Sequence, residues 1–249
     1  MIPLVLAGIL LVACNGNEKR HVYPVIDLQE QIAAEAKKLD PKLVEPHNEL
    51  WSAYFDSLGL VKVTDKDSSI AVHLVYSTPD NFAGKVLYKD LQTAWLRPEA
   101  ADKLADAQRR LSRIRPGTGI IVYDAARPFR IQQDMWEVAK QSDMRYYVAN
   151  PNKGGGLHNY GLAVDVGLVD SVGQALPMGT PYDYPGEESY TTGEDRLLAE
   201  GKITREEYDN RRLLRRVMTE AGFKPITREW WHFNVCSLKE AQEKYKRIE

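Results

Sequence analysis

Three short stretches hold most of the side chains able to do chemistry. The first is Gly154-Gly155-Gly156-Leu157-His158-Asn159-Tyr160-Gly161-Leu162-Ala163-Val164-Asp165. It offers an imidazole and a carboxylate behind three glycines, which let a backbone bend and approach a ligand. Positions seven apart on one uninterrupted strand face opposite sides. His158 and Asp165 therefore converge only if the chain turns at Asn159-Tyr160-Gly161. The second stretch is Glu229-Trp230-Trp231-His232-Phe233, where a glutamate and a histidine sit among aromatics although Glu is rarely buried unless paired. The third is Tyr123-Asp124-Ala125-Ala126-Arg127-Pro128-Phe129, in which Arg127 emerges where a buried run ends, a usual place for a functional loop residue. Each also has a plain structural reading: a structural His158–Asp165 pair, an aromatic edge strand with an incidental histidine, and an Arg127–Asp124 ion pair.

Together the three stretches supply what zinc hydrolysis needs. A catalytic zinc takes three protein ligands and keeps one position open for water. His158, Asp165 and His232 offer nitrogen, oxygen and nitrogen donors. Water bound to such a metal has a pKa of ~7. A general base must lie within hydrogen-bond reach of that water, and Glu229 is the candidate. The negative oxygen of a tetrahedral intermediate is a task for Arg127.

Positioning these groups falls to a mixture of helices and strands. Residues 50–60 have Leu50, Trp51, Tyr54, Phe55 and Leu58 at helical spacing, a packing pattern. Residues 69–76 (SIAVHLVY) are rich in strand formers and run into a turn-rich loop. From Leu96 to Ile114 a helix is expected, with Leu104, Ala107, Leu111 and Ile114 on one face and Pro116-Gly117 as its stop. Gly119–Tyr123 reads as a buried strand, and residues 130–141 as a short helix. Leu162, Val164 and Val166 alternate with Ala163, Asp165 and Gly167, which puts Asp165 on the small-residue face of a strand. Residues 204–221 form a strong helix with Leu214, Val217, Met218 and Ala221 inward and Gly222 as its cap. Trp230 to Val235 is a last strand. There is no regular βαβ rhythm, so the expected class is α+β: one domain, a mainly antiparallel sheet flanked by helices, with the zinc site at the sheet.

The chain has 249 residues, 43% hydrophobic and 27% charged, with a formal net charge of −2. That is an ordinary globular composition, and it excludes disordered, collagen-like and disulfide-miniprotein classes. No global basic field suggests nucleic acid. Two cysteines, Cys14 and Cys236, cannot form a zinc-finger ligand set. Residues 2–13 are apolar and uncharged, too short to span a bilayer and suited to a secretory signal. They end in Leu11-Val12-Ala13-Cys14, which resembles the lipobox of bacterial lipoproteins, and a polar run follows. Residues 1–14 then act as a lipoprotein signal, residues 15–48 as a tether and helix, and residues 49–249 as the catalytic domain. A lipidated Cys14 leaves Cys236 without a disulfide partner, as a buried, inert thiol. Asn15, which is not Asp, points to an envelope protein at the periplasmic face of an outer membrane.

The motifs resemble the zinc D,D-peptidases of the D-alanyl-D-alanine carboxypeptidase and dipeptidase superfamily, and within it the D-alanyl-D-alanine dipeptidases. The resemblance covers roughly residues 55–236. Val75 to Gly84 is similar to that family's Y-A-T-x-D-N-F-x-G loop, and Asp124 to Pro128 to its D-x-x-R-P segment. Leu176 to Tyr184 is similar to its P-M-G-x-x-F-D-F segment, and Asn210 to Leu213, Gly222-Phe223 and Glu229 to His232 to its C-terminal part. The resemblance implies one Zn2+ per chain on His158, Asp165 and His232, with Glu229 as base and then acid. It implies an oxyanion role for Arg127, oriented by Asp124, and a substrate ammonium held by Asp183 with Tyr76. The implied substrate is a small D,D-dipeptide from cell-wall peptides. Gly156 stands where the family motif has serine, and Leu157 replaces a further small polar residue. Zinc ligation is independent of both positions, whereas side-chain hydrogen bonding to substrate is not. A D,D-carboxypeptidase acting on peptidoglycan stem peptides, or a non-catalytic zinc-stabilised binding module, are the alternatives.

Overall fold

The computed structural model describes residues 50–249. Cys14, the signal-like run and the 15–48 segment lie outside the described residues. Helix α1 includes residues 50–57. It is followed by α2 (Val63–Lys66), α3 (Pro98–Ile114), α4 (Phe129–Ala139), α5 (Glu194–Ala199), α6 (Arg205–Glu220) and α7 (Leu238–Lys244). The strands are β1 (Val61–Lys62), β2 (Ala71–Val72), β3 (Trp95–Leu96), β4 (Gly119–Asp124), β5 (Ala163–Val169), β6 (Lys224–Pro225) and β7 (His232–Asn234). Five of them form a sheet in the order β2-β4-β5-β7-β6. Only the β2/β4 pair is parallel. β1 and β3 make a separate antiparallel ribbon. The class is the expected α+β, a mainly antiparallel sheet with helices packed against it. Among the described residues no helix is long and apolar enough to cross a membrane.

The long helices form where the sequence caps them. α3 opens on Pro98, whose fixed φ suits a first helical position and whose ring disfavours helix at the preceding residue. Leu96 therefore belongs to β3 and not, as expected, to the helix. Leu104, Ala107 and Leu111 are fully buried, but Ile114 is 43% exposed because the last turn runs past the core. α6 is closed by a capping box between Thr204 and Glu207. Leu214, Val217 and Met218 are fully buried, and α6 packs on α3 and β5. In α1, Phe55 is buried and stacks on Trp51, while Leu50 is exposed.

Two expected strands are shorter than their sequences suggest. In residues 69–76 only Ala71–Val72 join the ladder, with the His73 amide donating to the Val122 carbonyl at 2.8 Å. The chain then curls into a 3-10 turn, Val75–Ser77, that turns Tyr76 into the interior. At the other end β7 covers only His232–Asn234 of the expected 230–235. The Trp230 indole instead donates to Thr180 Oγ1 at 2.8 Å. Cys236 is a free thiol, half-buried and not buried as expected, and burial pushes its pKa up.

Candidate active site

Strand register sets out the site. β5 lies at the centre of the sheet and is buried at every position. Asp165 pairs with Asp124 on β4 and with His232 on β7, so three chemical side chains form one row across three strands. The β4/β5 register shifts between Val122 and Asp124, the kind of bulge that re-aims a side chain beside a site.

His158 reaches this row through the turn at Asn159-Tyr160-Gly161. Leu157–Tyr160 is a 3-10 helix that ends at Gly161 with φ +69°. A Cβ on Gly161 would meet Leu60 at 3.2 Å and the Arg97 amide at 3.3 Å, so space and conformation both demand glycine. The turn is bolted to the Arg127 loop: the Arg127 amide donates to the His158 carbonyl at 3.0 Å, and Asn159 Nδ2 donates to the Arg127 carbonyl at 2.9 Å.

Each imidazole is oriented by a bond on its far side. His158 Nδ1 donates to the Ala125 carbonyl at 2.7 Å, which leaves a lone pair on Nε2. His232 Nε2 donates to Asn234 Oδ1 at 2.8 Å, which leaves a lone pair on Nδ1. This is the outer-shell arrangement that fixes the tautomer of a metal-ligating histidine. The two lone pairs and Asp165 Oδ1 converge. His232 Nδ1 lies 2.9 Å from Asp165 Oδ1, His158 Nε2 lies 3.4 Å from it, and the two nitrogens are 3.2 Å apart. A tetrahedral zinc with ligands at ~2.0–2.1 Å has ligand–ligand edges of about 3.3 Å. The three residues form a possible metal site, and their donor set fits one. Two lone pairs and a carboxylate oxygen meet with no proton to share, which a cation resolves. Burial alone would raise the Asp165 carboxyl; the two histidines beside it, when protonated, hold it well below the usual carboxylate range. Its second oxygen accepts from the Tyr182 hydroxyl at 2.9 Å.

Glu229 Oε2 is 3.8 Å from His232 Nδ1. Burial pushes the Glu229 carboxyl up to about 8; Asp165 and Asp183 add to the rise, and His232 and Arg127 oppose it. Arg127 is buried and gives three N–H bonds, from Nε and Nη2 to Asp124 Oδ2 and from Nη1 to Gln132 Oε1. A guanidinium has five donors, so two N–H groups are not used by these bonds. Asp124 is fixed in turn by the Tyr88 hydroxyl at 2.5 Å and the Ala125 amide at 2.9 Å.

The last group lies on loops. Asp183 has φ +61°, a conformation that Asp tolerates better than most side chains. Its Oδ2 accepts from the Tyr76 hydroxyl at 2.8 Å, and the Tyr76 hydroxyl is 3.3 Å from that of Tyr182. Asp183 has no Lys or Arg ion-pair partner among the described residues. Burial raises its pKa to about 8, with Asp165 and Asp124 adding to the rise and the Tyr76 hydroxyl and Arg127 opposing it. Helix α6 clamps this loop. Arg211 donates from Nε to the Met178 carbonyl and from Nη1 to the Glu188 carbonyl at 2.7 Å, and Asn210 donates to the Pro177 carbonyl at 2.9 Å. At Gly179 a Cβ would meet Arg211 Nη2 at 2.8 Å.

The structure thus brings together all eight candidates that fall within the described residues: His158, Asp165, His232, Glu229, Arg127, Asp124, Tyr76 and Asp183. Sequence reasoning missed Tyr182, Asn234, Gln132 and Tyr88. Asn234 left a signal, since it is two residues from His232 and shares its strand face. Tyr182 adjoins Asp183. Gln132 and Tyr88 left none.

The protein-family model described as D-ala-D-ala dipeptidase matches residues 56–247. The D-alanyl-D-alanine dipeptidase of Escherichia coli (strain K12) is 30% identical over 182 residues, covering 72% of this chain and 86% of that protein. The protein of the same name from Enterococcus faecium is 28% identical over 178 residues, covering 64% and 82%. That from Synechocystis is 28% identical over 168 residues, covering 56% and 68%.

Proposed function

The chain belongs to the D-ala-D-ala dipeptidase family of metallopeptidases, and on that premise we propose that it is a zinc-dependent D,D-dipeptidase of cell-wall peptide metabolism. One observation carries this reading. A donor triangle of buried His158 and Asp165 and partly buried His232 stands beside Glu229 at one end of the site, and Asp183, a carboxyl with no Lys or Arg ion-pair partner among the described residues, stands at the other. When bound, zinc supplies a Lewis acid that polarises the scissile carbonyl and lowers the pKa of water to ~7.

The chain's own residues do the rest. Glu229 accepts the proton of the attacking water and returns it to the leaving amine. Arg127 turns its two unused N–H groups to the developing oxyanion, and Asp124 and Gln132 keep it from rotating away. Asp183, steadied by Tyr76, pairs with the substrate's free ammonium in a charge-assisted hydrogen bond. The Tyr182 hydroxyl donates to Asp165 and lies beside Tyr76, so amine recognition and metal ligation share one wall.

The protein is further proposed to be held at the periplasmic face of a membrane by acylation of Cys14; the Leu11-Val12-Ala13-Cys14 run supports this. Several acyl chains anchor firmly where one does not, so Cys14→Ser should move the protein from the membrane to the soluble fraction. Turnover of D-Ala-D-Ala and L-Ala-L-Ala by the zinc-loaded protein tests the enzymatic reading. Hydrolysis confined to the D,D-dipeptide is expected. Hydrolysis of neither contradicts it.

A further inference from the structure

The 3-10 helix that carries His158, Leu157–Tyr160, has four residues, and such a piece holds its place only through its surroundings. The carbonyls at the end of a helical turn find no partner within it. Here each of the three carbonyls that follow His158 is taken up from outside the turn. The Ile248 amide donates to the Asn159 carbonyl at 2.8 Å. Arg97 Nε donates to the Tyr160 carbonyl at 3.0 Å, and the Arg97 amide donates to the Gly161 carbonyl at 2.9 Å. Neither Arg97 nor Ile248 has a part in the catalytic steps above.

Both residues tie the turn to other segments. Arg97 is buried, and its remaining contacts are also with backbone: Nη1 donates to the Leu58 carbonyl and Nη2 to the Lys246 carbonyl at 3.0 Å. Its guanidinium carbon lies 4.6 Å from the centre of the Tyr245 ring, and the Tyr245 hydroxyl donates to Glu99 in the first turn of α3. Ile248 is fully buried, and its carbonyl accepts from the Phe129 amide at 2.7 Å. Phe129 follows Arg127-Pro128. One residue therefore gives its N–H to the His158 turn and takes an N–H from the Arg127 segment. Burying a cation is costly, and filling space alone would suit an apolar side chain better. What the guanidinium adds is a rigid planar fork that fixes three backbone segments relative to one another.

We propose that Arg97 and Ile248 are positioning residues: together they set where His158 Nε2 meets Asp165 and His232, and Ile248 couples that setting to the Arg127 loop. The inference rests on the metal-site reading and names what holds its third ligand. Two of the donors are placed by the strand ladder, whereas His158 is placed by a turn. A metal site accepts errors in ligand distance of only ~0.2 Å, so the turn needs a clamp of comparable precision.

The test measures zinc affinity by competition with a chelator, and the visible spectrum of the Co2+-loaded protein, for wild type, Arg97→Met, Arg97→Lys and a chain lacking residues 248–249. Leu104→Ala, at a fully buried position of α3, controls for lost stability alone. Arg97→Met keeps the backbone bond to Gly161 and loses the guanidinium bonds. It should bind zinc about 10–100-fold more weakly, the usual cost of losing a group that supports a metal ligand, and its Co2+ bands should shift. Arg97→Lys, which lacks the fork, should recover only part of the affinity. Removal of residues 248–249 should weaken zinc by a similar factor. At saturating zinc it should also lower kcat on D-Ala-D-Ala more than Arg97→Met does, with less change in KM, because the Arg127 segment is released as well. If Arg97→Met and the shortened chain lower the melting temperature as Leu104→Ala does but hold zinc and Co2+ as wild type does, the proposal is overturned. Should the shortened chain fail to fold, Arg97→Met decides. A wild type that binds zinc but cleaves no dipeptide overturns the dipeptidase reading, while the zinc and Co2+ measurements still decide this proposal.

Discussion

The proposed metal-ligand end and the proposed amine-binding end of this site are built in different ways. Asp165 and His232 are direct partners in a strand ladder, and every residue of β5 is buried. Asp183 and Tyr76 sit on a positive-φ turn and a 3-10 turn, 107 residues apart in sequence and joined by one hydroxyl–carboxylate bond. At the first end two of the three donors are held by the sheet, and the third, His158, by a 3-10 turn bonded to the Arg127 loop. The second depends on side chains reaching across from a helix, above all Arg211. Metal geometry tolerates only small errors in ligand position, and a ladder supplies that rigidity. Recognition of an ammonium needs a charge at the right depth, and loops can supply it.

The comparison breaks most sharply at the rigid end. His232→Ala removes one of three donors, and zinc content measured by elemental analysis should fall from one per chain to near zero, with activity lost alongside. A zinc-replete, active His232→Ala protein would remove this residue from the ligand set. Glu229→Gln is expected to keep the metal and lose roughly 10²–10⁴-fold in kcat, the usual worth of a positioned general base. Wild-type turnover in that variant would assign the proton transfers elsewhere.

At the loop end the effects should be smaller and of another kind. Arg211→Met leaves the Met178 and Glu188 carbonyls without their donors, at ~1–3 kcal/mol each. Thermal stability should fall. KM for the dipeptide should rise about tenfold, the equivalent of ~1.4 kcal/mol, with zinc content unchanged. A loss of zinc would show that the two ends are not separable. The last effect concerns pH. Asp183 has a folded-state pKa near 8, raised from an ordinary 3.8 chiefly by burial. A group so raised adds stability in full below its unfolded pKa and loses it as pH rises through the folded value. Between pH 5 and 8 the metal-free protein should therefore lose stability; Glu229, raised to about 8 as well, contributes to the same slope, so Asp183→Asn should reduce that slope without abolishing it. Melting temperatures of the two proteins across this range check the sign.

How much of this was legible in the sequence follows the same division. The strand Ala163–Val169 declares itself by alternation, with Asp165 on the small-residue face, and the Asn159-Tyr160-Gly161 turn that delivers His158 is written in turn residues. The helices Arg205–Glu220 and Pro98–Ile114 follow from period and caps, apart from Leu96, which pairs with a strand that local pattern does not reveal. Residues 69–76 have strand composition, yet their second half curls away because Tyr76 is drawn inward to Asp183, a partner far along the chain. Asp183 and Tyr76 were visible only through resemblance to a family, since no spacing rule links them. Tyr182, Gln132 and Tyr88 contribute single hydrogen bonds from separate elements, and such contacts leave no local pattern.

The most direct test of the account is the ratio of kcat/KM for D-Ala-D-Ala to that for N-acetyl-D-Ala-D-Ala, measured on the zinc-loaded wild type and on Asp183→Ala. Acetylation removes the ammonium, so Asp183 stays protonated and the charge-assisted bond to the substrate is lost; a loss of ~4 kcal/mol corresponds to about a thousandfold in rate. The account predicts a wild-type ratio of about a thousand, and a ratio that collapses in Asp183→Ala through loss of activity on the free dipeptide. Equal wild-type activity on both substrates would contradict it and identify an enzyme that trims longer or acylated peptides.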